Sequence, residues 1–212
     1  EVKNPLGGIR GAAQLLEREL EDRRHAEYTQ IIIGEVDRLR TLVDKMLGPR
    51  GGAEREWVNL HEVLEQVNQL VEAEHTGAIE IARDYDPSLP EIMGDRDRLI
   101  QAFLNLVRNA VRAVSGTDAG ITVRTRADRN FTIGDKVHSL VMRIDVIDTG
   151  RGVAPDIAES IFFPMVSGHA EGSGLGLPLA QSMINSQGGL IGFRSEPGHT
   201  EFTVWLPIEG GI

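Results

Sequence analysis

The sequence predicts an α+β protein: a helical hairpin, a short glycine-rich linker, and then an α/β sandwich. Three observations carry that reading. Residues 6–47 hold apolar side chains at alternating spacings of three and four, Gly48-Pro49-Arg50-Gly51-Gly52 interrupts the pattern, and from Trp57 onward segments of period two alternate with segments of helical period. The expected boundaries are a hairpin over 1–47, a linker over 48–55 and a second domain over 56–212.

In the first domain the seam runs through Leu6, Ile9, Ala13, Leu16 and Leu20, then through Thr29, Ile32, Val36, Leu39, Val43 and Met46. Charged residues such as Glu17, Arg18, Asp37 and Arg38 fill the positions between, so two amphipathic helices joined near 22–26 are expected. Two helices with one apolar stripe each do not bury it alone. A four-helix bundle made by two copies completes the arrangement, which predicts a homodimer.

Beyond the linker, Trp57-Val58 predicts a short strand, and Asn59 is placed to cap a helix that runs to about His75. Residues 79–85 and 91–93 alternate as strands. Asp95 opens a long helix with Leu99, Ala102, Phe103, Leu106, Ala110 and Val114 on its apolar side. Strands are expected at about 120–127 and 139–147, a helix at 174–187, and strands at 189–195 and 200–206. Residues 149–172 show no long element and make a candidate lid. Helices on one face of a mixed sheet form an α/β sandwich.

Composition narrows the function. In 212 residues the chain carries a net charge of −10, which argues against direct nucleic-acid binding. Cysteine is absent, which removes disulfides, thiolate metal sites and a cysteine nucleophile and fits a cytoplasmic setting. No apolar run approaches the ~18 residues of a membrane span, and no signal peptide opens the chain, so no membrane partner is expected. The six histidines (His25, His61, His75, His138, His169 and His199) lack metal-ligand spacing and are expected at surfaces or turns. His169, inside the candidate lid, is the one placed to touch a ligand.

Three clusters carry the chemistry. Asn105 and Asn109 lie four apart on a helix, so both project from one face and can offer carboxamide oxygens to a hard cation. Arg112 is within a turn of Asn109 and can neutralise phosphate oxygens. Arg108 and Arg112 can equally end in surface salt bridges, and the asparagines in a cap or in solvent. Asp148 ends an apolar strand and enters Thr149-Gly150-Arg151-Gly152. Its carboxylate can accept from an exocyclic amine and so select adenine over guanine, with Gly152 letting the backbone approach a ring plane; a plain Asp-x-Gly turn is the competing explanation. Gly172, Gly174 and Gly176 open a helix, whose free amides and dipole favour phosphate. A dinucleotide fingerprint lacks its strand–turn–helix unit here, and no Gly-Lys-Ser/Thr occurs for a Walker loop.

With these clusters in order, the chain resembles the transmitter region of a two-component sensor histidine kinase along essentially its whole length. Its second domain resembles a Bergerat-type ATP-binding domain. Asn105 to Asn109 match the asparagine box, Asp148 to Gly152 the first glycine box, Ile161-Phe-Phe-Pro-Met165 the phenylalanine box, and Gly172 to Leu177 the second glycine box. The resemblance implies ATP and Mg²⁺ as cofactors. It implies that Asn109 coordinates the metal with support from Asn105, that Asp148 binds the adenine amino group, and that the glycines at 172, 174 and 176 surround the phosphates. Arg112, Gly150, Gly152 and Leu175 complete the implied nucleotide site. Glu1-Val-Lys-Asn4-Pro5 through Leu16, together with Pro164 to Gly168 and Pro197 to Phe202, look like the nitrogen-regulation branch of these kinases.

That branch implies a response-regulator receiver domain as phosphoryl acceptor and a PII-type signalling protein as a further partner. Glu1 would orient the phosphorylated histidine or take its proton, and Asn4 would position water for an opposing phosphatase reaction. In the family the phosphorylated histidine immediately precedes Glu-x-x-Asn-Pro. Glu1 stands one residue after that position, so the chain as it stands is expected not to label itself. Two other readings remain open: a chaperone or mismatch-repair ATPase of the same fold, which would lack the helical hairpin, and a signalling piece that binds nucleotide without chemistry.

Overall fold

The structure, a computed structural model, describes residues 3–19, 28–34, 36, 55–75, 79–114, 120–166 and 174–208. The chain divides into two compact units, Glu1–Gly51 and Gly52–Ile212.

In the first unit, helix α1 spans Lys3–Glu19, and residues 28–34 and 36 are also helical. Ala13, Thr29 and Val36 from the expected seam are buried, whereas Ile9, Leu16 and Ile32 remain exposed alongside Leu15, Tyr28 and Ile31. Each helix therefore presents more apolar surface than the unit itself covers. The seam positions Leu20, Leu39, Val43 and Met46, the turn at 22–26 and the linker at 48–52 lie outside the described residues.

The second unit is built from β1 (Glu56–Val58), α2 (Leu60–Glu74), β2 (Ile81–Asp84), β3 (Ile92–Gly94), α3 (Arg96–Val114), β4 (Ile121–Ile133), β5 (Lys136–Asp148), α4 (Pro155–Ala158), α5 (Gly176–Ser186), β6 (Leu190–Glu196) and β7 (His199–Pro207). The main sheet has the order β2-β4-β5-β7-β6, with β2 parallel to β4 and every other pair antiparallel; β1 and β3 form a separate antiparallel pair. Helix starts follow the expected chemistry. The Asn59 side chain accepts from the His61 amide at 3.0 Å, and Asp95 Oδ1 accepts from the Arg98 amide at 3.1 Å, each satisfying a donor that the helix leaves free.

The core lies between the helices and one face of the sheet. Leu99, Ala102, Phe103, Leu106 and Ala110 of α3 have no exposed surface and meet Val123, Ile144, Val146, Phe202 and Val204 from the strands. The alternate strand positions form the opposite face. There Asp84 pairs with Arg124 and Arg126, both at 2.8 Å, and Arg143 pairs with Asp145 at 3.1 Å.

The β4–β5 pair differs from expectation. Each strand runs thirteen residues, further than the expected 120–127 and 139–147. The extra length is a ribbon closed by Gly134-Asp135 between the paired Ile133 and Lys136, with Gly134 at φ +59°. Gly-Asp is a hairpin signal, but the polar stretch Asp128-Arg129-Asn130 before it interrupts the apolar alternation of the strand. Among the described residues, Arg129–Ile133 and Lys136–Ser139 border no third strand. Phe131 stacks on Trp205 at 4.9 Å, and the indole N–H of Trp205 donates to Asp128 at 3.2 Å.

Phe103→Ala removes a wholly buried ring from the centre of this core and should lower the stability of the second unit by about 3–5 kcal/mol. Both tryptophans of the chain, Trp57 and Trp205, lie in that unit, so the denaturant midpoint of tryptophan fluorescence reads the loss directly.

Candidate nucleotide site

Helix α3 supplies the first wall. At 3.6 residues per turn, Asn105, Asn109 and Arg112 share a stripe flanking the buried side. Asn105 and Asn109 are half-buried, and neither carboxamide has a hydrogen-bond partner among the described residues. Two amides at the edge of a core with free oxygens are ready acceptors for a donor or cation from outside. Arg108 takes the surface alternative and pairs with Glu74, its Nε–H donating to Oε2 at 3.1 Å. Arg112 is exposed and forms no ion pair among the described residues, which leaves it available to an anion.

Asp148 supplies the second wall. It is the last residue of β5, faces the core side, and lies between Ile121 and Thr200 in the sheet register. Only 1 % of its surface is exposed. Oδ1 accepts from the Gly150 amide at 3.0 Å, while Oδ2 is buried with no partner among the described residues. Burial pushes the Asp148 carboxyl above the usual carboxylate range; the Gly150 N–H and the nearby His199 pull in the opposite direction. The loop that follows is shaped by close approaches. A Cβ on Gly150 would lie 2.5 Å from the carbonyl oxygen of Ala113, so only glycine lets the loop rest on the last turn of α3. Gly152 has φ +80°, which glycine adopts without strain. The Thr149 amide donates to the Gly120 carbonyl at 3.1 Å, and Thr149 Oγ1 accepts from the Gly120 amide at 2.8 Å, closing the base of the loop against β4.

The third wall is the start of α5. Gly174 has φ +64°, and its carbonyl accepts from the Met165 amide at 3.1 Å. Leu175 is buried and offers no side-chain cap, and Pro178 carries no N–H, so Gly176 and Leu177 provide the free amides of the first turn. A Cβ at Gly176 would sit 3.7 Å from Asn105 Oδ1. The α5 start therefore borders the asparagine stripe just as Gly150 borders the far end of α3, and the three clusters meet along one helix.

Of the expected site residues, the structure thus gathers Asn105, Asn109 and Arg112 with Asp148, Gly150, Gly152, Gly174, Leu175 and Gly176. Asn4 falls in the first turn of α1 in the other unit, and Glu1 and Gly172 lie outside the described residues. The 149–172 stretch is not without structure up to Val166: Pro155 starts the single turn of α4, and Ile161 and Phe162 anchor the chain that follows. The Phe162 ring packs edge-on against Phe193 at 6.0 Å and Phe202 at 6.5 Å, while Phe163 and Met165 are exposed. His169 and the remainder of that stretch are outside the described residues.

Two features escaped the sequence analysis. His61 is not simply a surface residue. Its ring stacks on Tyr85 at 5.0 Å, Nε2 bonds Thr125 Oγ1 at 3.0 Å, and burial lowers its pKa. The turn between β6 and β7 braces the Asp148 loop, a contact between segments distant in sequence that no local pattern announces. Chemically, the site offers a buried acceptor at one end and carboxamides, free amides and an arginine at the other, which suits a ligand with an amino edge and an anionic tail.

Residues 94–210 match the family described as histidine kinase-, DNA gyrase B- and HSP90-like ATPases, and the chain belongs to that family. Residues 1–48 match the family described as the His Kinase A (phospho-acceptor) domain. More particularly, the chain is 50 % identical over 209 residues to the sensory histidine kinase/phosphatase NtrB of Vibrio alginolyticus, covering 98 % of this chain and 60 % of that protein. It is 38 % identical over 220 residues to NtrB of Rhizobium meliloti (strain 1021), covering 100 % of this chain and 57 % of that protein. The chain thus spans about 60 % of the length of these curated relatives. Full-length ShkA, solved in complex with AMPPNP, superposes with a TM-score of 0.64 at 30 % identity over 96 % of this chain and 43 % of its own. Histidine kinase ThkA, solved with the response regulator protein TrrA, gives 0.61 at 25 % identity over 97 % and 58 %.

The orphan oxygen of Asp148 has a measurable consequence without any ligand. A raised pKa means that ionisation of Asp148 is unfavourable in the folded chain, a penalty present above the folded pKa and gone below the unfolded one. Asp148→Asn should therefore raise the melting temperature of the ligand-free chain at neutral pH. The difference should shrink as pH falls below the ordinary carboxylate range, as thermal unfolding across a pH series will show.

Proposed function

We propose that this chain is the transmitter region of a nitrogen-regulating sensor histidine kinase, acting in the cytoplasm. It binds ATP with Mg²⁺, phosphorylates a histidine next to Glu1, and passes the phosphoryl group to an aspartate on a response-regulator receiver. The observation that carries the nucleotide part is Asp148: a buried carboxylate with one oxygen held by Gly150 and the other awaiting a donor, on the rim that also bears Asn105 and Asn109. The adenine 6-amino group is such a donor, whereas guanine presents a carbonyl there.

The residues divide the work by position. Asp148 orients the base. Gly150 and Gly152 let the loop that follows Asp148 pack against the end of α3 and the β6–β7 turn. The glycines at 174 and 176 would surround the phosphates, and Arg112 would offset their charge. Asn109, supported by Asn105, would supply a carboxamide oxygen to hold Mg²⁺, whose charge would screen the transferring phosphoryl group. In the hairpin unit, Glu1 orients the acceptor imidazole or takes its proton, and Asn4 positions water for phosphatase action. Positioning and charge neutralisation account for most catalysis in phosphoryl transfer, which suits a site made of amides, glycines and one arginine.

The exposed Ile9, Leu15, Leu16, Tyr28, Ile31 and Ile32 support a homodimer that closes a four-helix bundle through α1 and its partner helix. The relatives' names and the ThkA–TrrA complex support the regulator as acceptor, and the nitrogen branch supports a PII-type protein as a further partner. Among the described residues no helix is long and apolar enough to cross a membrane.

Labelled ATP and a chain extended by histidine before Glu1 test this reading. The extended chain should become labelled and pass the label to a receiver domain, whereas nucleotide binding without labelling in that chain refutes the kinase assignment. Asp148→Asn should weaken ATP binding by roughly 10- to 100-fold, the worth of one charge-assisted hydrogen bond. Asn109→Asp should abolish labelling in the extended chain; normal labelling would remove Asn109 from the metal site.

A further inference from the structure

The loop after Asp148 owes its position to the turn that joins β6 to β7. The Gly198 amide donates to the Gly150 carbonyl at 2.9 Å, and the Val153 amide donates to Ser195 Oγ at 2.8 Å. A Cβ on Gly152 would come within 3.0 Å of the Glu196 carbonyl oxygen, so loop and turn are already in close contact. Of these ties only the one at Ser195 depends on a side chain.

Ser195 is in turn held. It stands opposite Thr200 in the β6–β7 register, and their hydroxyls lie 3.0 Å apart, sharing one hydrogen bond. Thr200 is 2 % exposed and stands opposite Asp148 in the β5–β7 register. A row of contacts therefore leads from the Val153 amide through Ser195 and Thr200 to the strand position beside Asp148. The Ser195 hydroxyl can accept the Val153 N–H and still pair with Thr200. Without it, both the Val153 N–H and the buried Thr200 hydroxyl lose their partner. An unpaired buried polar group is costly, so the loop would shift to reach water.

We propose that Ser195 is a positioning residue for base recognition: through the Val153 amide it fixes the Gly150–Gly152 loop so that Asp148 Oδ2 meets an incoming amino group. This role rests on the reading of Asp148 as the residue that accepts from the base. Ser195 does not itself touch the nucleotide. Its loss should blur the choice of base and leave the phosphate end, on α3 and α5, as it was.

Calorimetric titration of the full chain with ATP and with ITP, each with Mg²⁺, separates these ends, because inosine carries a carbonyl where adenine carries the amine. Wild type should prefer ATP. Ser195→Ala should weaken ATP binding roughly five- to tenfold and change ITP binding by less than about twofold, the effect of one neutral hydrogen bond confined to the base end. Ser195→Thr, which keeps the hydroxyl, should restore the preference. Faster amide exchange at Val153 in Ser195→Ala is also expected. Equal loss of ATP and ITP affinity, or no loss of either, overturns the positioning role. If wild type binds both nucleotides equally, the reading of Asp148 fails first and takes this role with it, a pattern distinct from failure of Ser195 alone. Should Ser195→Ala fail to fold, Ser195→Cys, with a weaker acceptor, must shift the ATP-to-ITP ratio in the same direction, and an unchanged ratio overturns the role.

Discussion

The burial of one side of helix α3 constrains everything around the site. Leu99, Ala102, Phe103, Leu106 and Ala110 have no freedom to leave the sheet, because each fills space that strand side chains such as Ile144, Val146 and Phe202 leave on their inner face. Once that side is committed, helical geometry places Asn105, Asn109 and Arg112 along the adjoining rim. The same docking carries the Ala113 carbonyl onto the loop after β5, where only glycine at 150 can meet it. Core packing and ligand geometry are one problem here. A shift of α3 would move the carboxamides and the loop together.

Against that rigid frame, the site is built from groups that folding leaves incomplete. Among the described residues Asp148 keeps a buried oxygen without a donor, Asn105 and Asn109 keep carboxamides without a hydrogen-bond partner, and the start of α5 has no side-chain cap. Each is a small loss of stability in the fold, and under the proposed reading each would be a contact for the nucleotide. Because the surrounding residues are fixed, binding there would need little reorganisation. The outer sheet face follows the opposite logic. Asp84 with Arg124 and Arg126, and Asp145 with Arg143 and Thr203, satisfy one another.

Local pattern made much of this readable in advance. The amphipathic seam, the helix starts at Asn59 and Asp95, and the strand leading into Asp148 are encoded within a few residues, as are the asparagine pair and the glycine clusters. What escaped depends on residues far apart in the chain. Ser195 braces Val153 only because β6 and β7 bring the turn beneath the loop, and His61 leaves solvent only because Tyr85 and Thr125 come to meet it. The long β4–β5 ribbon escaped for a different reason. Phe131 and Ile133 alternate with polar neighbours, but Asp128, Arg129 and Asn130 separate them from the apolar alternation of Ile121 and Val123, so the stretch does not read as one strand.

That distal half also sets how the second unit comes apart. Between Arg129 and Ser139 the two strands pair with no third strand among the described residues, and a lone hairpin in water is marginal. The Phe131–Trp205 stack and the Trp205–Asp128 hydrogen bond tie the ribbon to the sheet as far as Phe131 and leave the tip at 132–137 beyond them. The ribbon tip is therefore the natural place for fraying to begin, opening as a small cooperative unit at far less free energy than the helix-covered sheet. A protease would nick near Gly134 while α3 and the Asp148 loop stayed folded, so the ribbon can be cut or rebuilt with the nucleotide-facing half intact.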